Sequence, residues 1–217
     1  MPKLCIALDT SIAQALELID GLRGYPVVFK VGYRLFISHH RNIVDAVKEA
    51  GFELFLDLKL NDIPNTMREA TVSVKDLGAD YLTLHTLAGF SALRECVQVK
   101  SRLKLIGVTV LTSLSEEDME EIGLCQDSKR FLATLAQRAG LDGIVCSGKE
   151  LEEFKDINLM KVVAGVRLSE DSPHDQKRVV SLEEAINLGA DMIVMGRSIL
   201  LSQSPIKTID KILMTIS

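Results

Sequence analysis

The chain contains no tryptophan, and aromatic residues make up only 5% of it. Surfaces on which nucleic-acid bases could stack are therefore in short supply. Nor is there a basic excess: 25 Lys and Arg stand against 30 Asp and Glu, for a formal net charge of −5. Nucleic-acid binders usually present a basic face, so that class is not expected. No apolar run approaches the roughly 20 residues that a membrane-spanning helix needs. Met1-Pro2-Lys3-Leu4 lacks a charged segment followed by a long apolar one, so an exported product is not expected either. Four cysteines (Cys5, Cys96, Cys125 and Cys146) show no CxxC spacing and read as reduced thiols of a cytoplasmic protein. What is present is ordinary globular composition, 47% apolar and 25% charged over 217 residues. That is enough for one sizeable core, and a single domain over residues 1–217 is expected.

One phrase recurs along the chain. A helical stretch ends in Gly, an acidic residue follows, and a short apolar run comes next. It reads Gly51-Phe52-Glu53-Leu54-Phe55-Leu56, then Gly78-Ala79-Asp80-Tyr81-Leu82. It returns as Gly140-Leu141-Asp142-Gly143-Ile144-Val145 and Gly189-Ala190-Asp191-Met192-Ile193-Val194. Glycine just past a helix end suits a left-handed cap, which costs it no steric clash. The run after it is too short for a helix and does not alternate, so it reads as a strand buried on both faces. Repeated helix-to-strand transitions of this kind mean βα units around a parallel sheet.

Filling the gaps predicts eight strands, at 3–8, 27–31, 53–58, 80–84, 104–109, 143–146, 161–164 and 191–195, with helical patterns between them. Met67 to Leu77 places Ala70, Val74 and Leu77 at helical spacing, and Ser181-Leu182-Glu183-Glu184 reads as a capping box. Ile206, Ile209, Ile212, Leu213 and Ile216 form a closing apolar stripe. Eight βα units predict a (β/α)₈ barrel, smaller than the roughly 250 residues typical of that fold. A doubly wound open sheet is the rival, weakened because no GxGxxG follows the first strand. Two long polar connections, Thr112 to Ser128 and Gly165 to Arg178, fall on the strand-to-helix side, where barrels build their sites.

The charged residues on that side carry the chemistry. In a strand, residues two apart share a face, so Asp57 and Lys59 both point into the barrel mouth. A lysine flanked by carboxylates is held protonated, which suits a positioned acid better than a Schiff-base nucleophile. An inward Asp-x-Lys in an apolar strand is costly without a purpose, which argues against a mere surface ion-pair cluster. Asp9 ends the first strand and Lys30 the second, so the four together form an alternating acid–base array around one opening. Gly196-Arg197 opens a short helix after the eighth strand and, with Arg167, Gln176 and Arg178, makes a candidate anion site. His85 ends the fourth strand and is as readily structural as functional. His39 and His40, adjacent on a helix, would face different ways, and no cluster has metal-ligand spacing, so no metal is expected.

The segment Asp57-x-Lys59-x-x-Asp62-Ile63-Pro64-Asn65-Thr66 resembles the signature of the orotidine 5′-phosphate decarboxylase family. The resemblance extends through Ala7-Leu8-Asp9, Phe29-Lys30-Val31-Gly32, Val108-Thr109-Val110-Leu111-Thr112-Ser113, Gly165-Val166-Arg167, Asp175-Gln176 and Gly196-Arg197. One departure is Ala164, where the family often has proline. The resemblance implies decarboxylation of orotidine 5′-phosphate to uridine 5′-phosphate, the last step of de novo UMP synthesis, with no metal or organic cofactor. Lys59 would protonate C6 as CO₂ leaves, and Asp57 and Asp62 would fix its ammonium. Asp9 and Lys30 would bind the ribose, Thr112 the pyrimidine edge, and Gln176, Arg167, Gly196 and Arg197 the phosphate. The same resemblance implies a homodimer in which Asp62 and Thr66 reach the neighbouring subunit's site.

Relatives that share DxKxxD, the keto-sugar-phosphate decarboxylases and hexulose-phosphate synthases, use Mg²⁺ and tend to carry an acidic residue before Val-Gly in the second strand. Lys30 occupies that position and would repel the ion. A non-catalytic barrel that binds phospho-ligands would not need the Asp57-Lys59-Asp62 set.

Overall fold

The computed structural model describes residues 1–168 and 180–217. Its strands are β1 (Lys3–Ala7), β2 (Val27–Gly32), β3 (Glu53–Leu60), β4 (Tyr81–His85), β5 (Lys104–Val108), β6 (Gly143–Ser147), β7 (Met160–Ala164), β8 (Val166–Arg167), β9 (Val180–Ser181) and β10 (Met192–Met195). Eight of them close a parallel barrel in the order β1–β2–β3–β4–β5–β6–β7–β10 and back to β1. The closure excludes the open-sheet rival. The pair β8–β9 stands apart, with Val166 opposite Val180 and Arg167 opposite Ser181.

The helices are α1 (Ile12–Gly21), α2 (Tyr33–Glu49), α3 (Pro64–Asp76), α4 (Gly89–Val99), α5 (Glu116–Glu121), α6 (Ser128–Ala139), α7 (Leu182–Asn187), α8 (Arg197–Leu200) and α9 (Pro205–Ile216). The barrel interior is a small cluster of Cys5, Val28, Phe55, Tyr81, Ile106, Val162 and Met192. A larger apolar layer between strands and helices surrounds it. In α9, Ile209, Ile212 and Ile216 are buried and seal the ring, whereas Ile206 is exposed.

The recurring glycine–acid phrase has a specific structural result. Gly51, Gly78, Gly140 and Gly189 all have φ between +81° and +89°, as left-handed caps require. The aspartates after the last three of them staple neighbouring strands at the barrel floor. Asp80 accepts the Leu54 N–H on its carboxylate at 2.8 Å and donates its own N–H to the Leu54 carbonyl at 2.9 Å. Asp142 treats Leu105 the same way at 2.8 and 3.0 Å, and Asp191 treats Lys161 at 2.7 and 3.0 Å. A backbone donor at the frayed start of a strand is thus satisfied by a side chain.

One local expectation needs correction, and two others gain detail. Between β6 and β7 the described chain forms a 3₁₀ turn at Gly148–Glu150 and further turns rather than an α-helix. The apolar residues Leu151, Phe154 and Ile157 recur every third position and are all buried, which fits the tighter winding. The Thr112–Ser128 connection contains α5, started by a capping box between Ser115 and Asp118, and Met119 packs with Val110 and Leu132. The long polar connection thus carries a short packed helix. Finally, α3 begins at Pro64, where a missing N–H costs nothing, and buries Met67 and Thr71 beside the expected Val74, while Leu77 packs partly buried against the core.

Candidate active site

The carboxyl ends of the barrel strands surround a cavity of about 220 Å³. Its floor is apolar, with Phe55, Val108, Val145, Val162 and Val194, and its walls carry Asp9, Lys30, Asp57, Lys59, Arg167 and Arg197. Charges gather at one end of an apolar tube because the strand interiors must pack while their ends need not.

A continuous chain of ionic hydrogen bonds crosses the mouth. Lys30 Nζ donates to Asp57 Oδ2 at 2.9 Å, and Lys59 Nζ donates to Asp57 Oδ1 at 2.8 Å. Asp9 stands beside this chain: a Cβ placed on Gly32 would lie 3.7 Å from Asp9 Oδ1 and 3.9 Å from Lys30 Nζ. Both charges therefore lie against the same point of the β2 backbone. Burial by itself would push the Asp57 carboxyl up, but Lys30 and Lys59 overcome it and hold Asp57 at about 2. Burial likewise pulls the Lys30 ammonium down, and Asp57 and Asp9 together lift it above its ordinary value. The Lys30–Asp57 pair is thus charged at neutral pH, with Asp57 as the central anion.

Asp57 and Lys59 do not reach the cavity along a regular strand. Leu56 pairs with Leu82 and Leu60 with Leu84, so β3 inserts extra residues between two points that β4 spans in two steps. Lys59 takes a φ of +42°, a conformation that a long side chain rarely adopts. Its N–H bonds to Thr83 Oγ1 at 2.7 Å, and the neighbouring Leu58 carbonyl accepts from Tyr33 Oη at 2.7 Å. The Tyr33 ring lies under the Lys59 ammonium, 5.8 Å from its centre. His85, at the end of β4, is half-buried; burial and then the Lys59 charge hold its imidazole below the ordinary range.

The structure brings Asp9, Lys30, Asp57, Lys59, Thr112, Arg167, Gly196 and Arg197 around one cavity. Asp62 and Thr66 are exposed and do not line it; Asp62 Oδ1 accepts the N–H of Ile63 at 2.7 Å. Gln176, like Asp175 and Arg178, lies outside the described residues. Among the described residues, no group of three or more His, Cys, Asp or Glu is arranged to hold a metal ion. Sequence reasoning missed Thr83 and Tyr33. A threonine inside an apolar strand looks like ordinary β-propensity, and only the cross-strand pairing reveals its hydroxyl contacts.

The family model described as orotidine 5′-phosphate decarboxylase / HUMPS matches residues 2–212. The orotidine 5′-phosphate decarboxylase of Ehrlichia canis is 42% identical, with 100% of this chain and 98% of the relative covered. That of Aquifex aeolicus is 36% identical, over 98% of this chain and 97% of the relative. A crystal structure of the Lactobacillus acidophilus orotidine 5′-phosphate decarboxylase superposes with a TM-score of 0.87 at 26% identity, covering 100% of both chains. With nearly its whole length matched by the family model and by these relatives, the chain belongs to the orotidine 5′-phosphate decarboxylase / HUMPS family.

Proposed function

We propose that the chain is a carboxy-lyase that converts orotidine 5′-phosphate to uridine 5′-phosphate and CO₂, with Lys59 as the acid. The observation that carries this reading is the Lys30–Asp57–Lys59 chain of hydrogen bonds in a cavity whose rim also bears Arg167 and Arg197. Breaking the C6–carboxyl bond leaves its electron pair on C6, and no neighbouring group of the ring can delocalise it. The Lys59 ammonium, already oriented by Asp57, stabilises that charge and transfers a proton to C6. Asp57 also faces the substrate carboxylate, so binding energy gained elsewhere must hold the two anions together. Arg167, Arg197 and the Gly196 backbone grip the remote phosphate, with Gln176 as a further donor. Asp9 and Lys30 take the ribose hydroxyls, and Thr112 the pyrimidine edge.

The working unit in this reading is a homodimer in the cytoplasm. Asp62 and Thr66 face outward next to the mouth, which suits delivery to a neighbouring subunit rather than to their own cavity. Exposed Tyr33, Ile37, Ile63, Leu87 and Phe90 lie near the starts of α2, α3 and α4 on the same side and would be covered by the partner. The Mg²⁺-dependent sugar-phosphate chemistry of related enzymes fits less well, because both Asp57 oxygens already accept from ammonium groups.

The test is the loss of orotidine 5′-phosphate absorbance in the presence of EDTA, with wild type and Lys59→Ala. Wild type turns over undiminished, and Lys59→Ala is inactive while still binding uridine 5′-phosphate. Substantial turnover by Lys59→Ala removes Lys59 from the acid role, and loss of wild-type activity in chelator favours the sugar-phosphate chemistry.

A further inference from the structure

We infer that Thr83 is a positioning residue: its hydroxyl holds the β3 bulge in register with Asp57 and so aims the Lys59 ammonium. Thr83 is buried on β4, at 1% exposure. Its Oγ1 accepts the Lys59 N–H at 2.7 Å and donates to Asp57 Oδ1 at 3.0 Å. The same Asp57 oxygen accepts from Lys59 Nζ at 2.8 Å. One hydroxyl therefore touches both ends of the Asp57–Lys59 couple, backbone on one side and carboxylate on the other.

The need for such a residue follows from the bulge. At the irregularity between Leu56 and Leu60, the Lys59 N–H takes a side-chain hydroxyl in place of a ladder carbonyl. A φ of +42° at a non-glycine residue stores strain, which persists only where surrounding contacts over-determine it. Thr83 supplies the contact to the N–H, and its donated hydrogen bond directs the Asp57 oxygen toward the ammonium. Without the hydroxyl, the Lys59 N–H loses its partner and the backbone has reason to relax. Lys59 would then leave the orientation that Asp57 imposes.

This inference rests on the decarboxylase reading only where turnover is the readout. Thr83→Val removes the hydroxyl at nearly constant shape, and Thr83→Ser retains it. The experiment compares kcat and KM for orotidine 5′-phosphate, uridine 5′-phosphate affinity, and hydrogen exchange at the Lys59 amide for both variants. Thr83→Val lowers kcat about 10- to 100-fold, the size of effect that a misplacement near 1 Å produces. Its KM and product affinity stay within about 3-fold of wild type, because the phosphate and ribose contacts lie elsewhere. Its Lys59 amide exchanges faster. Thr83→Ser restores kcat to within about 3-fold and restores amide protection.

An unchanged kcat or an unchanged Lys59 amide in Thr83→Val overturns the inference. So does a Thr83→Ser variant that falls as far as Thr83→Val, since the methyl group would then be what matters. Should Thr83→Val fail to fold, Thr83→Ala carries the same expectations without added bulk. Parallel losses of melting temperature, binding and turnover in Thr83→Ala would show a packing role and refute positioning. A wild type without decarboxylase activity overturns the functional reading alone, and the amide-exchange comparison still decides the role of Thr83.

Discussion

Replacing Lys30 by Met removes one of the two ammonium groups that compensate Asp57 while keeping most of the side chain's volume. Both partners are nearly enclosed, with side-chain exposures of 12% and 13%. Breaking one side of a buried pair costs on the order of 3–5 kcal/mol when nothing else remains. Asp57 keeps Lys59 at 2.8 Å and Thr83 at 3.0 Å, so the cost falls below that range. The net displacement of Asp57 from 3.8 to about 2 is what remains after burial has opposed the lysines and corresponds to about 2–3 kcal/mol, so Lys30, the larger of the two charge effects, contributes at least about 1 kcal/mol. A loss of about 2 kcal/mol lies between the brackets. In a chain of this size it lowers the melting temperature by about 4–8 °C.

The pH dependence of that loss has a definite sign. A depressed carboxyl stabilises the fold fully above its ordinary 3.8 and loses that contribution as the pH falls through about 2. In Lys30→Met the Asp57 carboxyl rises, so it takes up a proton at a higher pH than in the wild type. The uncompensated charge then disappears, and the melting temperatures of wild type and variant converge as the pH drops below about 4. Adding Asp57→Leu to Lys30→Met removes the under-compensated anion, and solvent reaches the freed Lys59 ammonium, whose side chain is 28% exposed, so stability recovers relative to the single variant. Thermal melts by circular dichroism at pH 7 and at about pH 2.5 check these expectations. A Lys30→Met melt within about 2 °C of wild type at pH 7, or a double variant less stable than the single one, would refute the reasoning.

Two further outcomes follow from other parts of the structure. Under the proposed homodimer, mixing inactive Lys59→Ala and Asp62→Ala chains restores part of the decarboxylase activity, because one site of each mixed dimer would keep both residues; subunit exchange without recovery would place the two within one chain. Gly148→Ala would set a Cβ 2.2 Å from Val180 Cγ1, forcing β9 away from the turn after β6. Overpacking of this kind costs about 1–3 kcal/mol, so the variant melts lower by differential scanning fluorimetry, and an unshifted melt would contradict the packing described.

Much of the barrel was legible in the sequence because the glycine caps and the aspartates after them are local signals. Each glycine needs a left-handed conformation, and each aspartate announces the strand that follows. The Asp57-x-Lys59 pair was legible for the same reason, since charge in an apolar strand stands out. What could not be read was pairing across strands. The bulge exists only relative to β4, so neither the positive φ of Lys59 nor the part played by Thr83 has a signature in either strand alone. The α5 helix did have a signal, the Ser115-x-x-Asp118 box, but the polar composition of the connection masked it. The turn after β6 hid behind apolar residues at every third position, a spacing that α-helices and 3₁₀ turns share over short stretches.

The aspartate staples at the floor give the two ends of the barrel different tolerances. Asp80, Asp142 and Asp191 fix strand alignment where each strand begins, far from the cavity. Alignment secured at the entrance of a strand need not be repeated at its exit, and β3 exploits that freedom when it leaves its ladder just before Lys59. Changes of side chain at the exits that leave the buried Lys30–Asp57 pair intact therefore alter reactivity with little penalty to assembly, whereas changes at the entrances do the reverse. A single chain can in this way explore new chemistry without having to relearn how to fold.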